Sequence, residues 1–299
     1  MAKPAWHIAV PGIIIVFAGC SEASATYVDD RYFISTLVTI VPTPADFLNF
    51  PHYVALPETT TGTREYDFLV TYSKLITKDW ALFFSETFRI LDETDGSTVS
   101  GFENLVLGTQ YQLYTVPEHQ FVLTVGGTAA LGGTGASAVA PSYSTLTPIV
   151  YMGKGLGDLP DSMAWLQPVT LTANLGVAFP SESTTAAGAT NPNVLNWSFA
   201  VEYTMLKDNY TSSGHRYPTG WVPLVEVALT TPLNGPDAGF TTGTINPGII
   251  WVGKAFQFGL EAIVPVNSRS GEGLGARAQI HFYLGNLFPN SFLGKPIFD

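Results

Sequence analysis

Residues 275–284, GARAQIHFYL, change polarity at every step. In an extended chain successive side chains point to opposite sides, so Ala276, Ala278, Ile280, Phe282 and Leu284 share one face and Arg277, Gln279, His281 and Tyr283 the other. Alternation of this kind requires two different surroundings, one apolar and one wet. A soluble sandwich turns its apolar face into a core, whereas a membrane barrel turns it out to lipid and keeps the polar face within.

Composition favours the second arrangement. Of 299 residues, 46% are hydrophobic and only 12% charged, with 29 glycines and 21 prolines, whereas an average soluble domain has about 25% charged residues. Polarity rests instead on Ser, Thr, Asn, Gln, Gly and Tyr, which form hydrogen bonds without the desolvation cost of ions. After the first 25 residues no apolar run approaches the roughly 18 to 20 residues of a membrane helix. A chain of this kind that crosses a membrane must do so as a closed sheet. The net charge of −11 and the lack of any basic run exclude nucleic acid as a partner, because phosphate binding needs clustered Lys and Arg.

Residues 1–25 read as a secretory signal peptide, with Lys3, the apolar IAVPGIIIVFAG and the small residues ASA before Thr26. Two other readings are a lipoprotein leader cut before Cys20 and a helical anchor, the latter opposed by the break at Pro11-Gly12. Residues 26–299 then form one outer-membrane β-barrel domain with a short N-terminal segment and a C-terminal tail. Cys20 is the only cysteine and leaves with the signal peptide, so no disulfide or thiol metal site is expected.

Strands are expected near 31–41, 64–76, 80–90, 102–114, 120–131, 146–155, 168–179, 194–206, 221–231, 243–252, 254–265 and 274–284, separated by Gly, Pro, Asn, Asp, Ser and Thr clusters. That makes about twelve, an even number, as in bacterial single-chain barrels. Long and shorter connections take turns from the segment at 31 onward, which is the habit of barrels with long external loops and short periplasmic turns. The connections at 156–167 and 207–220 are long for such turns. The expected fold is therefore all-β, an antiparallel up-and-down transmembrane barrel with both termini periplasmic.

Tryptophan distribution agrees with it. Trp80, Trp165, Trp221 and Trp251 lie beside proposed periplasmic connections and Trp197 just after a proposed external loop, the headgroup levels that an indole prefers. In 194–204 the outward set is Leu195, Trp197, Phe199, Val201 and Tyr203, and the inward set Asn196, Ser198, Ala200, Glu202 and Thr204. The inward side chains are too small and polar for a dry core, so lipid lies outside and water within. Residues 80–90 resist this sorting, because Glu86 shares a face with Leu82, Phe84 and Phe88.

The inward sets hold Glu202, Glu226, Glu261, Arg277, Gln279 and His281, forced there by register. Such groups either brace the barrel as a ladder of ion pairs and hydrogen bonds or line a permeation path and select what passes. Arg89 and Glu103 flank a loop near the opposite rim, where solvated charges are ordinary. No catalytic residue, metal site or cofactor is expected. The sequence lacks a G-x-S-x-G elbow, an H-E-x-x-H pair and a phosphate loop, and His52, His119 and His215 fall in connections. The glycine-rich VGGTAALGGTGASA of 125–138 lacks a dinucleotide fingerprint and reads as a strand end followed by a loop.

The C-terminal fifty residues resemble the end of outer-membrane barrels of the meta-pathway of phenol degradation family. The likeness is carried by GLEAIVPVN, a short Gly-rich loop, GARAQIHFYL and the LF…GKPIF tail. The resemblance implies a Gram-negative outer membrane and uptake of small hydrophobic or aromatic molecules. Here, however, the last strand is followed by a tail to Asp299, expected to tuck under or into the barrel. The function expected is a channel for passive passage of small solutes, with membrane lipid or lipopolysaccharide and a small solute as partners and the oligomeric state open. The alternatives are a closed structural or surface-interaction barrel and, further off, a lipid hydrolase. Loops or the segment before residue 31 are expected to plug the lumen.

Overall fold

A computed structural model describes residues 27–185, 188–211, 214 and 216–298; the leader expected at 1–25, and His215, lie outside them. Two very short strands come first, β1 (Tyr27–Val28) and β2 (Arg31–Tyr32), paired with each other. The rest are β3 (Phe47–Ala55), β4 (Arg64–Thr77), β5 (Trp80–Asp92), β6 (Thr98–Phe102), β7 (Val106–Val116), β8 (Phe121–Ala130), β9 (Thr145–Gly155), β10 (Val169–Pro180), β11 (Val194–Tyr203), β12 (Met205–Tyr210), β13 (Arg216–Pro232), β14 (Thr242–Val252), β15 (Phe256–Pro265) and β16 (Gly275–Tyr283).

These later strands pair antiparallel in chain order, and β16 returns to pair with β3, closing the sheet into a barrel. β6 and β7 are two pieces of one wall strand, both laid against β5. β11 and β12 stand in the same relation to β13. The closed wall thus has twelve strands, as the alternation predicts. β3 begins and β16 ends at one end of the barrel, called here the terminal end; the other is the loop end. At the terminal end two connections are tight, 78–79 and 253–255. The long connection expected at 207–220 is mostly a hairpin, because β12 pairs with Arg216 to Trp221 and carries the ladder on beyond the wall.

The pleat sorts side chains as the opening stretch requires. On β15, Phe258 and Leu260 are 38% and 46% exposed, while Gln257 and Glu261 beside them are 1% and 4% exposed. A soluble sandwich would show the reverse. The outer face also carries Leu82, Phe84, Leu113, Leu146, Leu175, Phe199, Val225 and Ile249, all exposed. The orientation of β5 is settled too: Ala81 is buried while Leu82 and Phe84 are exposed, which puts Glu86 on the outer side. There β5 passes from β7 to β6, and the Glu86 carboxylate accepts the Thr87 N–H at 3.2 Å.

One expected strand is misplaced. Residues 31–41 are not part of the wall; apart from the two residues of β2 they form no strand, and they lie inside the barrel. The first wall strand is β3, in a stretch the sequence assigned to a connection. Pro51 and a bulge between Asn49 and His52 break the alternation of β3 and hide it. His52 consequently sits on a strand, opposite Gln279, and not in a loop. The plug expected before residue 31 begins instead with β1 and extends to about Asp46.

Glycines make room for this inner segment at its closest approaches. A Cβ on Gly153 would stand 2.5 Å from the Phe33 ring, and one on Gly259 would stand 2.6 Å from Leu37 Cδ1. Tyr32, Ile34 and Leu37 pack on Val222, Leu224, Ile250, Val252 and Tyr283, and Val28, Phe33 and Val41 on Val122. The barrel's largest apolar clusters therefore lie between its wall and its own N-terminal segment.

Candidate functional site: the plugged lumen

The inner segment rises from the terminal end, turns at residues 37–40 near mid-wall and descends to enter β3. Between Phe33 and Val41 it carries Phe33, Ile34, Leu37, Val38, Ile40 and Val41 with no period of two, as in a segment surrounded by protein, and only Ile40 at the tip among these is exposed, to a cavity. Beyond β2 its backbone has no sheet partner, so wall side chains must satisfy it.

Glu226 does most of this. One carboxylate oxygen accepts the Leu37 and Val38 N–H groups at 2.8 and 3.0 Å, and the other accepts Thr39 N–H at 2.6 Å. Charge-assisted bonds from three successive amides fix the turn at the plug tip. Gln110 Nε2 donates to Val41 O at 3.0 Å, Thr124 Oγ1 to Pro42 O, and Gln257 Nε2 to Ser35 O. The amide of Asn174, with its nitrogen and oxygen assigned to suit, grips Ile40 by donating to its carbonyl at 3.0 Å and accepting its N–H at 2.6 Å. Inward polar residues from β7, β8, β10, β13 and β15 thus converge on one segment.

The base of the plug is held by ions. Arg31 donates to Gln120 Oε1 at 3.1 Å and to Thr204 Oγ1 at 2.7 Å, and also to the Gln167 carbonyl. Lys74 Nζ lies 2.6 Å from Asp46 Oδ1, which also accepts Leu75 N–H at 2.8 Å. Burial raises the Asp46 carboxyl above the ordinary range, against the opposing pull of Lys74 and the Leu75 amide. Lys74 also donates to the Lys295 carbonyl at 2.6 Å, and Ile297 and Phe298 N–H bond to the Leu75 and Ile76 carbonyls. The C-terminal tail therefore tucks under the terminal mouth. With both partners nearly buried, Lys74→Ala strands the Asp46 carboxylate and is expected to cost about 3 kcal/mol, read as a lower urea midpoint in refolding from lipid vesicles.

All six expected lumen residues point inward, yet none faces an open bore. Glu202 and Glu226 are fully buried, and Glu261, Gln279 and His281 are 3–4% exposed. Glu202 accepts Thr172 Oγ1 at 3.1 Å. Arg277 lies 3.8 Å from Glu261 and reaches the Leu37 carbonyl at 3.5 Å. His281 shares a hydrogen bond with Asn49 and stacks on Phe47 at 4.8 Å between centroids. At this level the lumen is filled by the plug. Nearer the loop end, Arg89 is not an ordinary solvated charge: it pairs with Asp67 at 2.9 Å, Glu65 at 2.8 Å and Glu103 at 2.7 Å.

Two cavities flank the plug. One of ≈ 290 Å³ lies toward the terminal end between plug and tail, lined among others by Phe33, Asp46, Phe47 and Pro296. The other, of ≈ 380 Å³, lies above the plug tip, with Val38 and Ile40 as its floor.

The tryptophans stand toward the ends of the wall strands or in a connection. Trp80 and Trp251 stand at the terminal ends of β5 and β14, and Trp221 pairs opposite Trp251 on β13. Trp165 is 69% exposed in the connection before β10, and Trp197 lies near the loop end of β11. The Trp80 indole donates to Thr109 Oγ1 at 2.8 Å. Among the described residues no group of three or more His, Cys, Asp or Glu is arranged to hold a metal ion. In the terminal-end connection after β9, Lys154 and then His119 hydrogen-bond Asp158 and hold its carboxyl below the ordinary range.

No protein-family model matches the chain, and no curated protein matches it. Among solved structures, the chain is similar to the NanC porin at 10% identity, covering 80% of this chain and 99% of that one with a TM-score of 0.49. It is similar to the KdgM porin at 12% identity, covering 79% and 98% with a TM-score of 0.43. A bacterial polysaccharide outer membrane secretin aligns at 8% identity over 80% and 98% with a TM-score of 0.39.

Proposed function

We propose that the protein is an outer-membrane channel of a Gram-negative bacterium for passive passage of small molecules, hydrophobic or aromatic ones among them, closed in this state by its own N-terminal segment. One observation carries the reading: a barrel with an apolar outer face holds two cavities separated by a single segment that is not part of the wall. A closed sheet satisfies every backbone group laterally and can stand in hydrocarbon. The exposed leucines, phenylalanines and valines of the outer face fit a lipid belt with lipid or lipopolysaccharide around it. Trp80, Trp165, Trp197, Trp221 and Trp251 fit its headgroup margins. The terminal end is then periplasmic and the loop end external.

Glu202, Glu226, Glu261, Arg277, Gln279 and His281 act in this reading on the plug and the wall behind it, and meet solute once the plug has moved. The resemblance of the C-terminal fifty residues to the meta-pathway family supports hydrophobic or aromatic solutes. A second reading, a permanently closed scaffold, draws support from the full burial of Phe33 and Ile34. Vesicle swelling separates the two. Vesicles holding the protein should admit benzamide and arabinose faster than protein-free vesicles, and Glu226→Ala should raise the rate further. No flux above protein-free vesicles from either form would leave the scaffold.

A further inference from the structure

Above the plug tip the lumen divides by charge. The side formed by β4 and β5 carries Asp67 and Arg89, while Glu261 and Arg277 on β15 and β16 stand level with the tip itself. The opposite side carries no charge at all along the ≈ 380 Å³ cavity. There the wall presents Thr128, Thr147, Asn196 and Ser198, with Ile149 and Ala228 between them. Thr128 stands opposite Thr147 across β8 and β9, and Asn196 opposite Gly176 across β10 and β11. Gly176 lets Ile149 pack closely against β10, since a Cβ there would come within 2.9 Å of Ile149 Cγ1.

These four polar side chains differ from the inward ones that hold the plug or one another, and unlike Asn246 and Thr170, which also lack partners, they line the cavity. Gln110, Thr124, Asn174 and Gln257 are committed to the plug, Thr172 to Glu202, and Thr71 to Ser85. Thr128, Thr147, Asn196 and Ser198 have no side-chain hydrogen-bond partner among the described residues. Three hydroxyls and one amide therefore surround an aliphatic floor and remain available to a guest.

We propose that this cavity is a binding site for a small uncharged solute that carries one or two hydroxyl or amide groups beside an apolar portion. The inference deepens the channel reading and rests on it. Two exclusions define the class. An anion entering here sheds its hydration with no cationic side chain in the lining, and a cation finds only the Glu226 carboxylate beneath the floor, already engaged by three plug amides. A wholly apolar guest covers four polar groups and bonds to none of them. A neutral amphiphile meets both conditions, and the cavity lies in the size range of small-molecule sites.

Benzamide and benzoate make the test, because they share a shape and differ in charge. Their binding to the detergent-solubilised full-length protein is measured by titration with ligand-observed saturation-transfer NMR. Benzamide should bind at least tenfold more tightly than benzoate, and the paired change Asn196→Leu with Ser198→Val should weaken benzamide at least tenfold. Thr128→Val with Thr147→Val, across the cavity, should produce the same loss and serves where the first pair fails to fold. Equal affinity for benzoate, or benzamide binding unchanged in a folded double variant, overturns the proposal. Flux is scored separately in vesicles: selective binding without entry leaves the site and removes the channel. Entry of both compounds at one rate, with no preference in binding, leaves the channel and removes the site.

Discussion

Replacing Glu226 by alanine is expected to turn a barrel that conducts little into one that opens often. The carboxylate holds three successive plug amides at 2.6 to 3.0 Å in a place fully shut off from water. Hydrogen bonds to a charged group contribute about 1.5–3 kcal/mol each, and the alanine leaves three buried donors without acceptors. Part of this is offset because a buried charge is removed as well. A net loss of about 3–5 kcal/mol shifts the balance between seated and displaced plug by roughly two to three and a half powers of ten. In planar bilayers the open probability of single channels should rise accordingly, with unit conductance unchanged. Glu226→Gln, which keeps acceptors for some of the amides, should fall between parent and alanine. Deleting residues 33–43 supplies the fully open reference. If Glu226→Ala and the deletion both conduct like the parent, the N-terminal segment is not the barrier.

The second large effect tests which solvent surrounds the wall. Val225 is 42% exposed on the outer face of β13, with Val201 and Pro247 as its cross-strand neighbours and Trp221 four residues toward the terminal end. An arginine at mid-bilayer depth on a lipid-facing strand costs about 2–4 kcal/mol. Val225→Arg should therefore lower folding stability by about that amount in lipid vesicles. The same residue at Thr230, which is exposed and points inward near the loop end of the same strand, should change stability by less than about 1 kcal/mol. Equal effects at the two positions would mean that the outer face is not in hydrocarbon.

Much of this architecture was legible because two faces with different solvents leave a period of two in the chain. β16 is the clearest instance: Arg277, Gln279, His281 and Tyr283 point inward, Ala276, Ala278, Ile280 and Phe282 outward. From β4 onward each wall strand could be located in this way, although β5 could not be oriented by it. The rule fails where its physical premise fails. Residues 31–41 are surrounded by wall side chains except at the tip, where Val38 and Ile40 face a cavity, so their run of apolar side chains carries no period and reads as a strand. β3, which does separate two solvents, has its period reset by the bulge between Asn49 and His52. Inward direction could likewise be read for Glu202, Glu226 and Glu261, since each lies between apolar neighbours. What each carboxylate holds could not, because Glu226 and Leu37 are 189 residues apart and nothing local to either encodes the meeting. Arg89 was similarly misjudged, its partners Glu65 and Asp67 lying across a strand pair and Glu103 beyond a loop.

The seam between β3 and β16 joins residues as far as 236 positions apart, Phe47 and Tyr283. Every other wall pairing links neighbours along the chain, so this junction is the one that cannot zip from a local turn and is the natural last event in assembly. The inner segment leads directly into β3 and so sits at the very edge that must find its mate. A cylinder assembled in this order closes with its filling already tethered to the unfinished lip, so the completed barrel is stoppered from the moment its last edges meet.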